Sequence, residues 1–332
     1  MSKVAVVILN YNGTDYLKEF LPSVIQHTPE AEIIVADNCS TDHSLDVLKN
    51  QFPGVRIIIL PENYGYAGGY NECLKQVEAE YYLLLNSDVE VTPNWLEPLV
   101  EYLDDHPDYA AVQPKLLDYN NKEYFEYAGA AGGFIDQWGY PYCRGRVFDV
   151  IEHDSGQYDS FLDIHWCSGA CFLIRSKVFH ELGGFDTDFF AHMEEIDLCW
   201  RMMNRGFLSG YLPQSKVFHV GGGTLNKTSP NKTYLNFRNN MAMLIKNLPW
   251  PTLLWIYPLR VILDFLAALK MWSDQGSKHF MAVIRSHAYV IKNSRRILRK
   301  RSVTKRIPSQ IRLLEEFYIR KRKTFSSFSS TK

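Results

Sequence analysis

Four short apolar runs open the chain, at residues 4–9, 33–36, 55–60 and 81–85, each bounded by polar turn residues. They are too short for helices and rich in Val and Ile, which predicts strands buried on both faces. Between them the apolar period changes. Tyr16, Leu17, Phe20, Leu21, Val24 and Ile25 form one stripe at helical spacing, and Leu45, Val47, Leu48 and Phe52 form a weaker one. Residues 67–80 give a third helix. Strand alternating with helix predicts βαβ units and a mainly parallel sheet with right-handed crossovers. Ligands of such sheets bind beyond the carboxyl ends of the strands. Asn10-Tyr11-Asn12-Gly13, Asp37-Asn38-Cys39-Ser40 and Asn86-Ser87-Asp88 all fall there. The last of these is the sharpest: residues 81–91 read YYLLLNSDVEV, a buried strand running into a carboxylate. An unpaired charge is costly to bury, so that strand end meets either water or something positive.

Further along, Pro93 suits the first turn of a helix at 95–104, and a strand follows at 110–117. From 122 to 168 the helical period fades, and Gly and aromatics dominate, as in YAGAAGGFIDQWGYPYCRGR. Short strands and loops covering the open rim, facing substrate, are expected. Periodicity returns with a strand at 170–175, a short helix from Ser176 to Gly183-Gly184, and a helix at 194–204 stopped by Gly206. No internal repeat or long linker interrupts the chain. Residues 248–272, LPWPTLLWIYPLRVILDFLAALKMW, are very apolar, but Arg260, Asp264, Lys270 and the prolines argue against a clean membrane span.

With 332 residues, 46% of them hydrophobic, the chain can bury one large core or two modest ones. Its net charge of -1 conceals an asymmetry: residues 278–332 hold 16 Lys or Arg against 2 acids. Such a tail fits an acidic surface or a solvated helical face. Beside the apolar segment it predicts an interfacial helix on anionic lipid, or a helix packed on the core or another subunit. No nucleic-acid motif accompanies it. The first strand starts almost at Met1 and the six cysteines lack metal or disulfide spacing, so reduced thiols and a cytoplasmic setting are expected.

Several residues could carry chemistry. Asp37 either accepts a hydrogen bond from a nucleotide base or caps the helix after Ser40. NYGYAGGYN, residues 63–71, places glycines where a helix begins, a position that lets backbone approach an anion. GGFDTDFFAHMEEIDLCWR, residues 183–201, packs five acids among aromatics. Glu195 and Asp197 fall in the first helical turn, where the dipole favours negative charge and a general base can be held. His219, after an apolar strand, suits a metal or a structural role. Arg238 in FRNN could grip phosphate bidentately.

The ordered set NYNG, DNCSTD, NYGYAGGYN, LLLNSDVEV, GGFDTDFFAHMEEIDLCWR, VFHVGGGT and FRNN, from Lys3 to about Asn247, resembles the inverting family-2 glycosyltransferases, closest to their bacterial rhamnosyltransferase-like branch. The resemblance implies an α/β, GT-A type nucleotide-diphospho-sugar transferase fold. Its domain would span 1–247, with a nucleotide-sugar half at about 1–118 and an acceptor half at about 119–247. An apolar and basic helical extension, 248–332, would follow. By position, Leu9, Tyr11 and Asp37 would hold the nucleoside of a UDP-, dTDP- or GDP-sugar, with Asn63 and Gly65 nearby. Asn86 stands in the family's Asp-X-Asp motif, and Asp88 and His219 would bind Mg²⁺ or Mn²⁺, with Arg238 aiding the leaving diphosphate. Glu195 aligns with the usual catalytic base. Two departures matter: Asn86 replaces the motif's first Asp, and Glu195 replaces Asp, which leaves Glu194 and Asp197 as alternative bases. The implied acceptor is a hydroxyl of a glycan or lipid-linked glycan in cell-envelope polysaccharide synthesis, at the inner face of the membrane. A sugar nucleotidyltransferase would want a cation in the first loop, where NYNG has none. A carbohydrate-binding protein with a relic site would not need so full a set of acids, His and Arg.

Overall fold

A computed structural model of the chain describes residues 2–221, 229–302 and 309–329. The first half alternates as expected: β1 (Ser2–Asn10), α1 (Thr14–His27), β2 (Glu32–Asp37), α2 (Ser44–Gln51), β3 (Arg56–Ile59), α3 (Gly65–Leu74), β4 (Ala79–Asn86). After it come β5 (Val89–Val91), α4 (Glu97–Asp105) and β6 (Tyr109–Asp118). The stretch expected to be short strands and loops holds β7 (Gly133–Ile135), β8 (Pro141–Cys143), β9 (Arg146–Val147), β10 (Val150–Ile151) and β11 (Leu162–Ile164). Then follow β12 (Cys171–Arg175), α5 (Ser176–Glu181), α6 (Glu194–Asn204), β13 (Leu208–His219) and α7 (Pro230–Asn247). The chain continues through α8 (Trp250–Gln275), α9 (Ser277–Lys292), α10 (Ser294–Arg299) and a short α11 (Phe325–Ser329).

The main sheet has the order β11-β13-β6-β12-β4-β1-β2-β3, with β5 added beside β13. Strands β3, β2, β1 and β4 run parallel, as do β6 and β13; β12 enters antiparallel between β4 and β6. The near-continuous apolar runs follow from this topology, because both faces of the sheet are covered. Along β4, Tyr81, Leu83 and Leu85 pack in one core layer and Tyr82 and Leu84 in the other. The register sets Leu9 opposite Asn86 and Asn10 opposite Asp37, so these strands end level on one rim.

Two local expectations need correction. The third helix ends at Leu74 rather than 80, because Ala79 and Glu80 already belong to β4. The proline in the first turn of α4 is Pro98; Pro93 lies in the preceding turn. The described part of the basic tail is partly packed on the core, one of the settings expected for it. Lys300 and Arg296 pair with Asp186 and Asp188. Arg301 bonds the carbonyls of Ile245 and Leu248 at the end of α7. Phe325 packs on Phe134 and Tyr142 of the small antiparallel sheet β10-β9-β8-β7.

Candidate active site

On the rim, short polar side chains wire the strand ends together. Asn10, buried between β1 and β2, donates from Nδ2 to Asp37 Oδ1 and to Ser40 Oγ, both at 3.2 Å. Asp37 Oδ2 accepts from the Ser40 N–H at 2.9 Å, a turn bond in the loop before α2; that helix starts only at Ser44, so Asp37 does not take the expected capping role. Asn38 donates to Asn63 Oδ1 at 3.1 Å and to the Gly65 carbonyl at 3.0 Å, and Asn63 Oδ1 accepts from the Gly65 N–H. Leu9 is half-buried against Gly69, while Tyr11 is exposed at the mouth.

The start of α3 does not wait for an anion. Phe190 O accepts from the Tyr66 and Ala67 N–H groups at 2.8 and 3.2 Å. Gly65 has φ +68°, and a Cβ there would stand 2.6 Å from the Phe190 ring. The glycine-rich turn therefore seats the loop before α6 against α3. In that loop Phe190, His192 and Met193 all have positive φ (63°, 71° and 73°), strain that persists only where the surroundings over-determine it.

FRNN supplies that determination. Asn239 Nδ2 reaches the carbonyls of Phe189, Ala191 and His192 at 2.7–3.0 Å. Arg238 donates to the Asp188 and Phe189 carbonyls at 2.9 and 2.8 Å, and its guanidinium lies against Tyr234 and Tyr289. Arg238 is thus spent as a loop clasp rather than offered to a phosphate.

The carboxylate at the end of β4 meets something positive. Asp88 Oδ1 is 3.1 Å from His219 Nε2, and Asn86 Nδ2 is 3.4 Å from the same nitrogen. On the other side of the ring Nδ1 stands 3.2 Å from Glu126 Oε1, near enough for ion pairing but not aligned for a hydrogen bond. Burial alone would lower the His219 pKa; Asp88 and Glu126 outweigh it and push the ring up to about 10. Burial likewise works against ionised Asp88, and His219 holds its carboxyl below the usual range. With both nitrogens protonated the ring cannot ligate; a metal there would displace the Nε2 proton, and the neutral ring beside Asp88, backed by the Glu126 carboxylate, would then be the donor set of a carboxylate–histidine–metal arrangement. Among the described residues no group of three or more such ligands gathers; a Mg²⁺ or Mn²⁺ at this pair would have to keep waters and substrate phosphates as its other ligands. The residues present fit Mg²⁺ or Mn²⁺. Gly222, Gly223 and Thr224, the end of the VFHVGGGT motif, lie outside the described residues.

Glu195 lies beside the loop that precedes β12. A Cβ on Gly169 would lie 3.7 Å from its carboxyl carbon and 3.1 Å from Tyr66 Oη, which donates to the Gly169 carbonyl at 2.6 Å, so the absence of a side chain lets this loop approach both closely. The Ala170 carbonyl accepts from the Asn86 N–H, which places this loop beside the end of β4. Glu195 Oε2 has no hydrogen-bond partner, and burial raises its carboxyl to about 7. Glu194 is raised further, by burial and then by the Glu195 charge, and is enclosed. Asp197 is different. It is 0% exposed, and its oxygens take Arg201, Lys246 and Asn247 at 2.8–2.9 Å. It is the anchor of a buried ion network, and its expected alternative role as base is corrected.

The rim thus brings together Leu9, Tyr11, Asp37, Asn63, Asn86, Asp88, His219 and Glu195, with Gly65 one step back, and leaves out Asp197 and Arg238. Sequence reasoning missed Glu126 and Tyr66. Glu126 sits in a region without periodicity and carries no motif; Tyr66 was visible only as part of the glycine-rich turn.

The fold is of the GT-A type, and solved structures agree on it. GalNAc-T7, crystallised with UDP, GalNAc and Mn²⁺, superposes with TM-score 0.61 at 18% identity, covering 88% of this chain and 58% of that one. The mannosyltransferase PcManGT of Pyrobaculum calidifontis, with GDP-Man and Mn²⁺, gives TM-score 0.53 at 16% identity, covering 90% and 83%. The description "Glycosyl transferase family 2" matches residues 5–183, and the chain belongs to that family. Among curated relatives, the N-acetylglucosaminyl-diphospho-decaprenol L-rhamnosyltransferase of Mycobacterium tuberculosis is 25% identical over 89% of this chain and 95% of its own length. Rhamnosyltransferase WbbL of Escherichia coli K12 is 25% identical over 65% and 83%.

Proposed function

We propose that this family-2 enzyme is an inverting, divalent-metal-dependent transferase. It moves a hexosyl or deoxyhexosyl group, rhamnosyl foremost, from a nucleoside diphosphate to a hydroxyl of a lipid-diphosphate-linked glycan on the cytoplasmic side. The observation that carries this reading is the pairing of Asp88 with His219, together with the unpartnered Glu195 carboxylate. The relatives that act as rhamnosyltransferases, one of them on a decaprenyl-diphosphate sugar, support the sugar and acceptor class.

Leu9, Tyr11 and Asp37 line the place for the nucleoside. Asp88 and His219 would hold Mg²⁺ or Mn²⁺, which when bound supplies positive charge to the leaving diphosphate. Glu195 takes the proton of the acceptor hydroxyl as that oxygen attacks the anomeric carbon and the bond to the diphosphate oxygen breaks. Attack from the face opposite the leaving group inverts configuration, and no enzyme nucleophile is required. Tyr66 and the strained 190–193 loop fix Glu195 at the attacking side. The test is release of nucleoside diphosphate from a panel of UDP-, dTDP- and GDP-sugars with a polyprenyl-diphosphate sugar acceptor. Metal-dependent release with one donor, abolished in Asp88→Ala, is expected. Release undiminished by chelator, or absent with every donor and acceptor, overturns the proposal.

A further inference from the structure

Helix α8 is built inside out. Its buried positions include Arg260 and Asp264, both within 2% of full burial. Arg260 donates to Trp138 O and Asn240 Oδ1 and stacks on Tyr140, and Asp264 pairs with Arg260 and with His287 of α9. Two of the three charges that interrupt the apolar segment, Arg260 and Asp264, therefore point into the protein, while Lys270 stays exposed and pairs with Asp274. The outward stripe is apolar instead: Leu254 is 71% exposed, Ile262 59%, Leu266 56% and Trp272 54%. Contiguous apolar surface of this kind has no reason to face water and marks an interaction site.

The adjoining face says what kind. Helices α8 and α9 form an antiparallel hairpin, with Phe280 packed on both Phe265 and Trp272. On α9 the apolar Met281, Ile284 and Ile291 are exposed beside Lys278, Arg285 and Lys292, which recur every seven residues on one side. Arg295 and Arg299 of α10 extend the row, and residues 277–300 contain no acid. Among the described residues none of these five cations has a carboxylate partner. A groove of about 330 Å³ between α7 and α9, lined in part by Tyr234, Lys278, Met281 and Arg285, opens on the same face.

We infer that this face docks on an anionic lipid bilayer, with the outward stripe of α8 lying in the interface and the α9–α10 cations against acidic headgroups. Apolar contact and a polybasic row together make the two signals that stable peripheral anchoring needs. At 26 residues α8 is also long and apolar enough to cross a membrane. Crossing is excluded by the hairpin, which returns α9 to pack on α7, and by the inward charges. The inference stands apart from the transfer reaction and does not depend on it.

The test uses the full chain and vesicles of phosphatidylcholine alone or mixed with phosphatidylglycerol, read by co-sedimentation. Binding to the mixed vesicles and far weaker binding to the neutral ones is expected. Ile262→Gln with Leu266→Gln should lower partitioning by roughly tenfold or more. Each of Arg285→Gln and Lys292→Gln should lower it by about fivefold. All four side chains are exposed, so the thermal midpoint should hold, which separates lost docking from lost folding. Failure to bind mixed vesicles, or binding untouched by these substitutions, overturns the inference. So does a dimer in solution that the α8 substitutions dissociate while vesicle binding is absent, since the covering partner is then a second copy.

Discussion

Under the proposed function Glu195 is the base, and its reactivity would come from position. Burial beside Gly169 and Tyr66 raises the carboxyl to about 7, close to the ideal for a base that must take a proton and later release it. Because the base works only when ionised, turnover should fall as pH drops below about 7 and level off above it. Glu195→Gln should cost about 10²–10⁴ in kcat and leave donor affinity unchanged. A variant that keeps most of its rate, or keeps the same acid limb, would place the base elsewhere. Glu126 acts one step removed. It backs the His219 ring from 3.2 Å and touches neither donor nor acceptor, so Glu126→Gln should raise the metal concentration needed for half-maximal rate roughly 10–100-fold. Rate at saturating metal should largely recover; unchanged metal dependence would reduce Glu126 to a packing residue.

Among the elements, the loop before α6 is held by charges brought from distant helices. Lys246 of α7 reaches Asp186 at 2.6 Å and Asp197 at 2.8 Å, and Lys300, just past the end of α10, reaches Asp188 at 2.7 Å. Burial opposes the ionised Asp186 carboxyl, yet Lys246 and Lys300 bring it down to about 2, and Asp197 is lowered by Lys246 and Arg201 against the same penalty. Folded-state values below the unfolded carboxylate value mean stabilisation that is present above pH about 4 and is lost as pH falls toward 2. Lys246→Met removes one of the two cations from each acid, leaving Asp186 to Lys300 and Asp197 to Arg201, and should destabilise at the lower end of the about 3–5 kcal/mol that a broken buried pair costs, measured by urea unfolding. Adding Asp197→Asn should return part of the loss, and simple additivity would show the pair uncoupled. The first four strands were legible because each is an unbroken apolar run between turns. The network was not, since an acid in a helix's first turn looks the same whether it meets solvent or a lysine from another helix. For the same reason Asp197 read as a candidate base, and Arg238 as a phosphate ligand when its partners are carbonyls 49 and 50 residues away.

Across the whole molecule, the tail packs on the small antiparallel sheet. Strands β7–β10 are two or three residues long, too short for periodicity to reveal and too small to stand alone. Residues 309–329 complete them. The Leu313 N–H donates to the buried Asp136, and the Phe325 N–H donates to Glu152 at 3.0 Å. The Phe325 ring lies within 5.3–6.2 Å of Phe134, Tyr142 and Tyr158. Glu126 follows Phe125, whose N–H bonds Glu152 and whose ring packs against Tyr158. Tail, small sheet and His219 are therefore linked through a chain of direct contacts by way of Glu126. Phe325→Ala removes a ring from that stack and should cost about 3–5 kcal/mol, as large-to-small changes at buried aromatics do. Since Phe325 touches no cleft residue, its effect on catalysis can arise only through the small sheet. The expected signature is a lowered unfolding midpoint with a metal requirement shifted in the direction of Glu126→Gln and an unaltered acid limb. If the midpoint falls and the metal requirement does not move, the tail stabilises the fold without positioning the site.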